Sequence, residues 1–430
     1  MTNDIEVLPP KLHEGQMQIW KNKGRLNAVC CGRRFGKTKL MVWLAVRTVC
    51  NGGKFGIFAP EHKQLLEPWN ELAEILNPIK VSSNKTEGTI RTLGGGQIDF
   101  WALNDNELAG RGREYNSIAC DEIAFAKDGQ MTQIWERSIK PTLLTTKGSA
   151  WMFSTPNGEN IDNFFWQICN EPEREWTYHH APTKNNPYVP QDELEKEKRM
   201  NHELVWLQEF EAQFISWNSA TFFKLDYLLQ DGKPVQVNDK VTAIYAVMDC
   251  AVKSGTNNDA TAVTYFALNK YSGHQCIILD WEMYSIEAAS LEYLAPLIIA
   301  KCENFAKQYR AMAGSVGLFV EDAAGGSILL QKARAEGWNV YPTDSKLLAK
   351  GKDERAFTVG GQVSAGMVKI SQEAFDKTQE WKGRTANHLI RQVTGFRIGD
   401  KDAYKREDDL LDCFTYGVAM GVVDQYAIGA

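Results

Sequence analysis

A chain of 430 residues is long enough to bury a large core and to divide into two or more domains. Its 43% hydrophobic and 24% charged residues exclude a disordered or fibrous protein. A net charge of −6 excludes a protein that coats nucleic acid non-specifically, while leaving room for local basic patches. The longest apolar stretch, residues 41–46, stops at Arg47 and is too short to span a bilayer. The first residues, Met1-Thr2-Asn3-Asp4-Ile5-Glu6, are polar and acidic, unlike a secretory signal. Nine scattered cysteines without a C-x-x-C pair read as reduced thiols filling the core. The seven histidines show no metal-ligand spacing, and the adjacent His179 and His180 read as solvated or structural.

In chain order, Leu12-His13-Glu14-Gly15-Gln16 offers a glutamine amide able to pair with the edge of adenine. An apolar run (Leu26, Ala28, Val29) then leads through Cys30-Cys31-Gly32-Arg33-Arg34-Phe35-Gly36-Lys37-Thr38 into a helical pattern at Leu40, Met41, Leu44 and Ala45. Strand, tight loop and helix start make a phosphate cradle, because a helix N-terminus presents unpaired N–H groups and the positive end of its dipole. Gly36 permits close backbone approach, Lys37 reaches the β- and γ-phosphates, and the Thr38 hydroxyl suits Mg²⁺. Cys31 stands where the usual first glycine belongs, and two arginines add positive charge.

Residues 56–60, 98–102, 117–120 and 149–154 read as further strands between helical patterns, which predicts an α/β sheet. Arg111 and Arg113, in a glycine-rich loop, are candidates for an arginine finger in cis or in trans. The strand at 117–120 ends in Asp121, suited to hold Mg²⁺, and Glu122, suited to polarise an attacking water. Ser154 and Thr155 close the next strand, where small hydroxyls can sense a γ-phosphate. Residues 189–215 read as charged helix with Leu204, Leu207 and Phe210 on one face. The polar stretch 216–240 predicts a linker between a first domain of residues 1–215, with a helical subdomain at about 175–215, and a second of 241–430.

The second half predicts strands at 241–249, 260–268 and 275–282, a helix at 286–309, a strand at 317–321, and helices at 327–336 and about 406–423. Asp249, Glu321 with Asp322, and Asp408, Asp409 and Asp412 fall at strand ends and at the start of the last helix. Carboxylates converging from distant segments are what a two-metal nuclease needs, and Mg²⁺ takes oxygen ligands. Asp409 and Asp412, three apart, can share one helical face, and the choice between Glu321 and Asp322 is open. Lys346, Lys350, Lys352 and Arg355 form one basic cluster; Arg384, Arg391, Arg397, Lys401, Lys405 and Arg406 form another.

The order Leu-x-x-x-Gln, Gly-Arg-Arg-x-Gly-Lys-Thr, strand-Asp-Glu and Phe-Ser-Thr-Pro-Asn-Gly resembles the large terminase subunit of tailed bacteriophages. That resemblance covers nearly the whole chain. It implies a RecA-like, additional-strand P-loop ATPase followed by an RNase H-like nuclease. It implies that Gln16 reads adenine, that Arg33, Gly36, Lys37 and Thr38 hold the phosphates and Mg²⁺ of ATP, and that Asp121 and Glu122 serve Mg²⁺ and water. It also implies that Ser154 and Thr155 couple hydrolysis to movement. For the second domain it implies two Mg²⁺ or Mn²⁺ ions held among Asp249, Glu321 or Asp322 (Asp322 slightly preferred), and Asp409 with Asp412 in preference to Asp408, with Lys346, Lys350, Lys352 and Arg355 near DNA. Partners implied are double-stranded DNA, a portal protein, a small terminase subunit and further copies in a ring, all in the host cytoplasm and none in a membrane. The chain ends soon after the last acidic motif, so a long portal-docking tail is expected to be absent or very short. The rival expectations are a helicase-like translocase whose second domain binds DNA without cutting it, and a non-catalytic, ATP-regulated assembly factor.

Overall fold

A computed structural model describes residues 6–104, 108–127, 130–171, 175–217, 219–237, 240–250, 261–269, 274–285, 290–322, 325–400 and 407–423. Lys401, Lys405 and Arg406, and the predicted helix start at 286, lie outside the described residues. The chain divides into two compact units, residues 1–196 with 204–216 and residues 197–203 with 217–430.

The first unit holds strands β1 (Leu26–Cys31), β2 (Lys54–Ala59), β3 (Lys80–Asn84), β4 (Thr89–Thr92), β5 (Gln97–Ala102), β6 (Ser117–Cys120), β7 (Ser149–Ser154) and β8 (Trp176–Ala181). Its helices are α1 (Glu14–Lys21), α2 (Lys37–Cys50), α3 (Leu66–Ile75), α4 (Gln130–Ile134) and α5 (Phe164–Asn170); α6 (Gln191–Met200) and α7 (Glu203–Glu209) follow in the chain. The sheet order is β3-β4-β5-β2-β6-β7-β1-β8. From β5 to β8 the neighbours are parallel, and β3 and β4 add an antiparallel edge. Every residue of β1 is buried, as expected of a strand covered on both faces. Its side chains alternate: Val29 and Cys31 join the core beneath α2 and α3, while Ala28 and Cys30 join the core on the opposite face with Met152 and Phe165. Because β7 lies between β1 and β6, the phosphate loop, Ser154 and Asp121 all end at the same sheet edge, where ligands of open α/β sheets bind.

Residues 176–181 correct the helical expectation for 175–215. They form β8, whose side chains alternate between buried and open positions and which pairs in parallel with all of β1. Long-range pairing to an otherwise bare edge of β1 decided the conformation there, which no local periodicity announces.

The second unit holds β9 (Ala243–Asp249), β10 (Thr261–Leu268), β11 (Cys276–Tyr284), β12 (Ser315–Val320), β13 (Val340–Pro342), β14 (Val368–Ile370) and the hairpin β15 (Gln379–Trp381) and β16 (Arg384–Ala386). Its helices are α8 (Leu291–Gln308), α9 (Gly325–Glu336), α10 (Ser345–Leu348), α11 (Lys352–Ser364), α12 (Gln372–Asp376), α13 (His388–Gly395) and α14 (Asp409–Val418). The sheet order is β13-β12-β9-β10-β11-β14. β9, β10 and β11 form an antiparallel meander; β12 runs parallel to β9, and β13 parallel to β12. That order and those directions are the RNase H-like arrangement. Leu294, Ile298 and Cys302 of α8 cover one sheet face, together with Ile244, Ala246 and Met248 of β9. α14 covers the other face, where a side chain at Gly417 would collide with the Phe266 ring and the Tyr245 hydroxyl donates to the Gly417 carbonyl at 2.8 Å.

The stretch expected to be a linker packs instead with this second unit from Trp217 on. Phe222 and Phe223 are fully buried, Phe222 against Phe357 and Phe396 and Phe223 against Phe414, with ring centroids 5.4–6.1 Å apart. Two aromatic residues outweigh the polar residues around them, because each buries more apolar surface than its neighbours expose.

Candidate functional site

The phosphate loop joins β1 to α2, and Gly36 caps the helix with φ +102°, a conformation in which a β-carbon is strained. Gly32 is required for a different reason: a side chain there would strike the Phe210 carbonyl and the Thr183 hydroxyl. The loop is tied on one flank. Gly32 N–H donates to Ala181 O at 2.9 Å and Arg33 N–H to Glu209 O at 2.7 Å. Thr183 Oγ1 and Asn186 Nδ2 donate to the carbonyls of Arg33 and Arg34 at 2.7 and 2.6 Å. The first amides of α2 remain directed at the loop's mouth, as at any helix start.

Lys37 lies at the centre, its Nζ 2.9 Å from Glu122 Oε1. Burial pulls the lysine's pKa down, but the charges of Glu122 and Asp121 outweigh it and hold the ammonium above its ordinary value. Burial, then the Glu122 charge, raises the Asp121 carboxyl to about 6. Glu122 adopts a left-handed conformation, φ +50° and ψ +38°, which costs a non-glycine residue roughly 1–2 kcal/mol. That turn brings its carboxylate back over Lys37, with Ser154 Oγ 3.5 Å from Oε2 and itself accepting the Ala124 N–H at 3.2 Å. Ser154 and Thr155 are buried beside it. The structure therefore brings Lys37, Asp121, Glu122 and Ser154 together at one edge.

The Gln16 amide is turned onto the loop itself: Oε1 accepts the His13 N–H at 2.9 Å and Nε2 donates to Gly36 O at 2.8 Å. Arg33 pairs with Glu209 at 2.5 Å. Arg113 leans on the buried Asp99, 3.7 Å away, while Arg111 is exposed between two left-handed glycines.

In the second unit the carboxylates come from three segments. Asp249 ends β9, Glu321 follows β12, and Asp409 and Asp412 occupy the first turn of α14, both over 90% buried. Burial, then the charges of Asp412, Asp409 and Glu321, raises the Asp249 carboxyl well above its ordinary value. Asp322 does not join them: it is exposed and accepts from Ser327 Oγ at 2.7 Å near the start of α9. This reverses the preference for Asp322 over Glu321, and the strand period holds the signal. Leu318 and Val320 face the α8 core, so Glu321, one residue on, faces α14.

Two predicted DNA contacts also stand elsewhere. Lys352, at the start of α11, bonds Asp408 and lies 3.3 Å from Asp412 Oδ2; Arg355 Nη2 lies 2.5 Å from Asp412 Oδ1. Lys350 Nζ donates to Thr358 Oγ1 at 3.0 Å, and Lys346 is exposed. Sequence reasoning missed Gln392 of α13, whose buried Oε1 accepts the Leu410 and Leu411 N–H groups at 2.7 and 3.3 Å and so caps α14. It also missed a cavity of about 640 Å³ beside Asp408, lined by Lys352, Trp381, Lys382, Arg384, Arg391 and Arg397 among others.

Among the described residues, no three carboxylate, imidazole or thiol groups already stand at metal-ligand spacing. The donor chemistry still fits a hard divalent cation, since the gathered groups are all carboxylates and the raised Asp249 pKa marks a demand for positive charge. Among the described residues, no helix is long and apolar enough to cross a membrane.

No family model matches the chain, and no curated protein matches it. Solved structures similar to it include the large terminase of the thermophilic bacteriophage D6E, at 16% identity over 95% of this chain and 99% of that one, with a TM-score of 0.49. The large terminase ATPase domain of Thermus phage P74-26 matches at 19% identity over 50% of this chain and 98% of that one, TM-score 0.41. The large terminase of bacteriophage HK97 matches at 12% identity over 95% of each, TM-score 0.38.

Proposed function

We propose that this chain is an ATP-driven motor that moves double-stranded DNA into a procapsid and carries its own metal-dependent endonuclease, the role of a large terminase subunit. The observation that supports it is the pairing, in one polypeptide, of a P-loop edge bearing Lys37, Asp121 and Glu122 with an RNase H-like sheet that gathers Asp249, Glu321, Asp409 and Asp412. At the first site Lys37 and the amides at the start of α2 hold the phosphates of ATP. Thr38 and Asp121 hold Mg²⁺. Glu122, once a phosphate takes Lys37 from it, is freed to orient water, and Ser154 reports that change to β7. At the second site Mg²⁺ or Mn²⁺ supplies Lewis acidity, and the acidic residues bind the metal and the water it activates.

The DNA track in this reading shifts from Lys346 and Lys350 to the cavity beside Asp408. Lys352 and Arg355 already serve carboxylates, whereas Arg384 and Arg391 are exposed and hold no acidic partner among the described residues. Exposed arginines next to a cutting site position a phosphodiester backbone. Portal protein, small subunit, a ring of copies and the host cytoplasm are the setting such a motor requires. A helicase-like translocase shares the first site but gives the buried Asp249 cluster no task.

The test is a pair of assays on the full chain. DNA-stimulated ATP hydrolysis is expected to fall by about 10²–10³-fold in Lys37→Ala. Cleavage of plasmid in Mn²⁺ is expected to vanish in Asp249→Ala. Undiminished cutting by that variant removes the nuclease half of the proposal.

A further inference from the structure

Asp412 sits among the acids and yet is fully committed to side chains. Its Oδ1 takes the Arg355 guanidinium at 2.5 Å, and its Oδ2 faces the Lys352 ammonium at 3.3 Å. Arg355 has no freedom to leave. It is 8% exposed, its Nη1 donates to Lys350 O at 2.7 Å, and it lies over the Tyr416 ring with 4.8 Å to the centroid. Lys352 is 39% exposed at its side chain and bridges Asp408 and Asp412. An ammonium between two carboxylates, one of them from the first turn of α14, occupies the place where a cation shared by those carboxylates would sit.

We propose that Lys352 is the resident second cation of this centre, so that the site takes one divalent ion, on Asp249, Glu321 and Asp409, where the bare acid set would take two. The inference rests on the nuclease reading above. Charge supports it. Among the described residues, Lys352 and Arg355 already offset part of the carboxylate charge, so the set has less need of a second divalent ion. An ammonium is a compact point charge on a flexible stem. It can therefore turn from Asp408 towards a phosphate oxygen as negative charge develops there, the task otherwise given to the second metal. Lys352 is thus a charge-positioning residue, held at the site by α11 while the sheet and α14 supply the ligands.

The test counts bound Mn²⁺ from the loss of its free-ion electron paramagnetic resonance signal. It uses the full chain without nucleotide, with Asp121→Asn throughout to silence the first site. One ion that Asp249→Asn abolishes is expected in the otherwise native chain. Two are expected in Lys352→Met, and one again in Lys352→Arg, which keeps the charge. The native count stands alone should Lys352→Met not fold. Two Asp249-dependent ions in the native chain, unchanged in Lys352→Met, overturn this inference and leave the nuclease reading in place. No Asp249-dependent ion at all overturns both.

Discussion

At the scale of single residues, the nucleotide site is a contest over one ammonium. Lys37 is paired with Glu122, and Asp121 beside it carries a carboxyl raised to about 6 by burial and by the Glu122 charge. Mg²⁺ needs that carboxyl ionised. Affinity for Mg²⁺–nucleotide is therefore expected to hold above pH 6 and to weaken roughly tenfold per unit below it, since the proton competes with the metal. Calorimetric titration at pH 7.5 and pH 5 checks this, with Asp121→Asn weak and flat across the range. The sign for stability is the reverse: a raised carboxyl favours the folded unit below the unfolded pKa, near 3.8, and that advantage disappears as pH rises through about 6. A profile equally flat in the native chain would show that Asp121 does not hold the metal. The residues of this site were legible in sequence because loop, Asp121 and Glu122 each announce themselves locally. The left-handed turn at Glu122 and the capture of the Gln16 amide by Gly36 were not, because both depend on neighbours brought from distant segments. Glu321 was half legible: with Leu318 and Val320 on the α8 face, strand alternation puts it on the opposite face with Phe319, while composition alone cannot separate it from Asp322.

At the scale of elements, α14 is the part on which the second site turns. It brings Asp409 and Asp412 to the sheet, and its first amides are satisfied by the Gln392 side chain instead of by an N-cap residue. Gln392→Ala removes that cap and leaves two buried N–H groups without a partner. A loss of about 1–2 kcal/mol is expected, seen as a fall of about 3–6 °C in the melting of the second unit, together with weaker Mn²⁺ binding as the acids lose their fixed start. Unchanged melting would show that water replaces the amide and that α14 is positioned by packing alone. The main strands and α8, α9 and α14 were readable from period and burial. β8, β13, β14 and the β15–β16 hairpin were not, because three-residue strands and edge pairings leave too few positions to establish a period. Residues 217–237 were misread as linker for a related reason. Their polar composition is real, but Phe222 and Phe223 fix them to α11, to Phe396 just after α13, and to α14 through contacts far away in sequence.

At the scale of the whole molecule, each unit closes its own core. The first buries α2, α3 and α5 on two faces of one sheet; the second buries α8 and α14 on two faces of another. Separate cores predict separate unfolding transitions, each sensitive only to its own ligand. A ligand at 100 times its dissociation constant stabilises the unit that binds it by about 2.7 kcal/mol, or about 5–10 °C for a unit of roughly 200 residues. Scanning calorimetry is therefore expected to resolve two transitions. Mg²⁺ with ADP raises one of them, and Lys37→Ala cancels that rise. Mn²⁺ without nucleotide raises the other, and Asp249→Asn cancels it. Because each variant acts on one transition only, loss of a shift identifies the unit that carries the site. A single transition that both ligands move together would mean that the two cores unfold as one, and that a nucleotide bound at the P-loop changes the stability of the carboxylate centre directly.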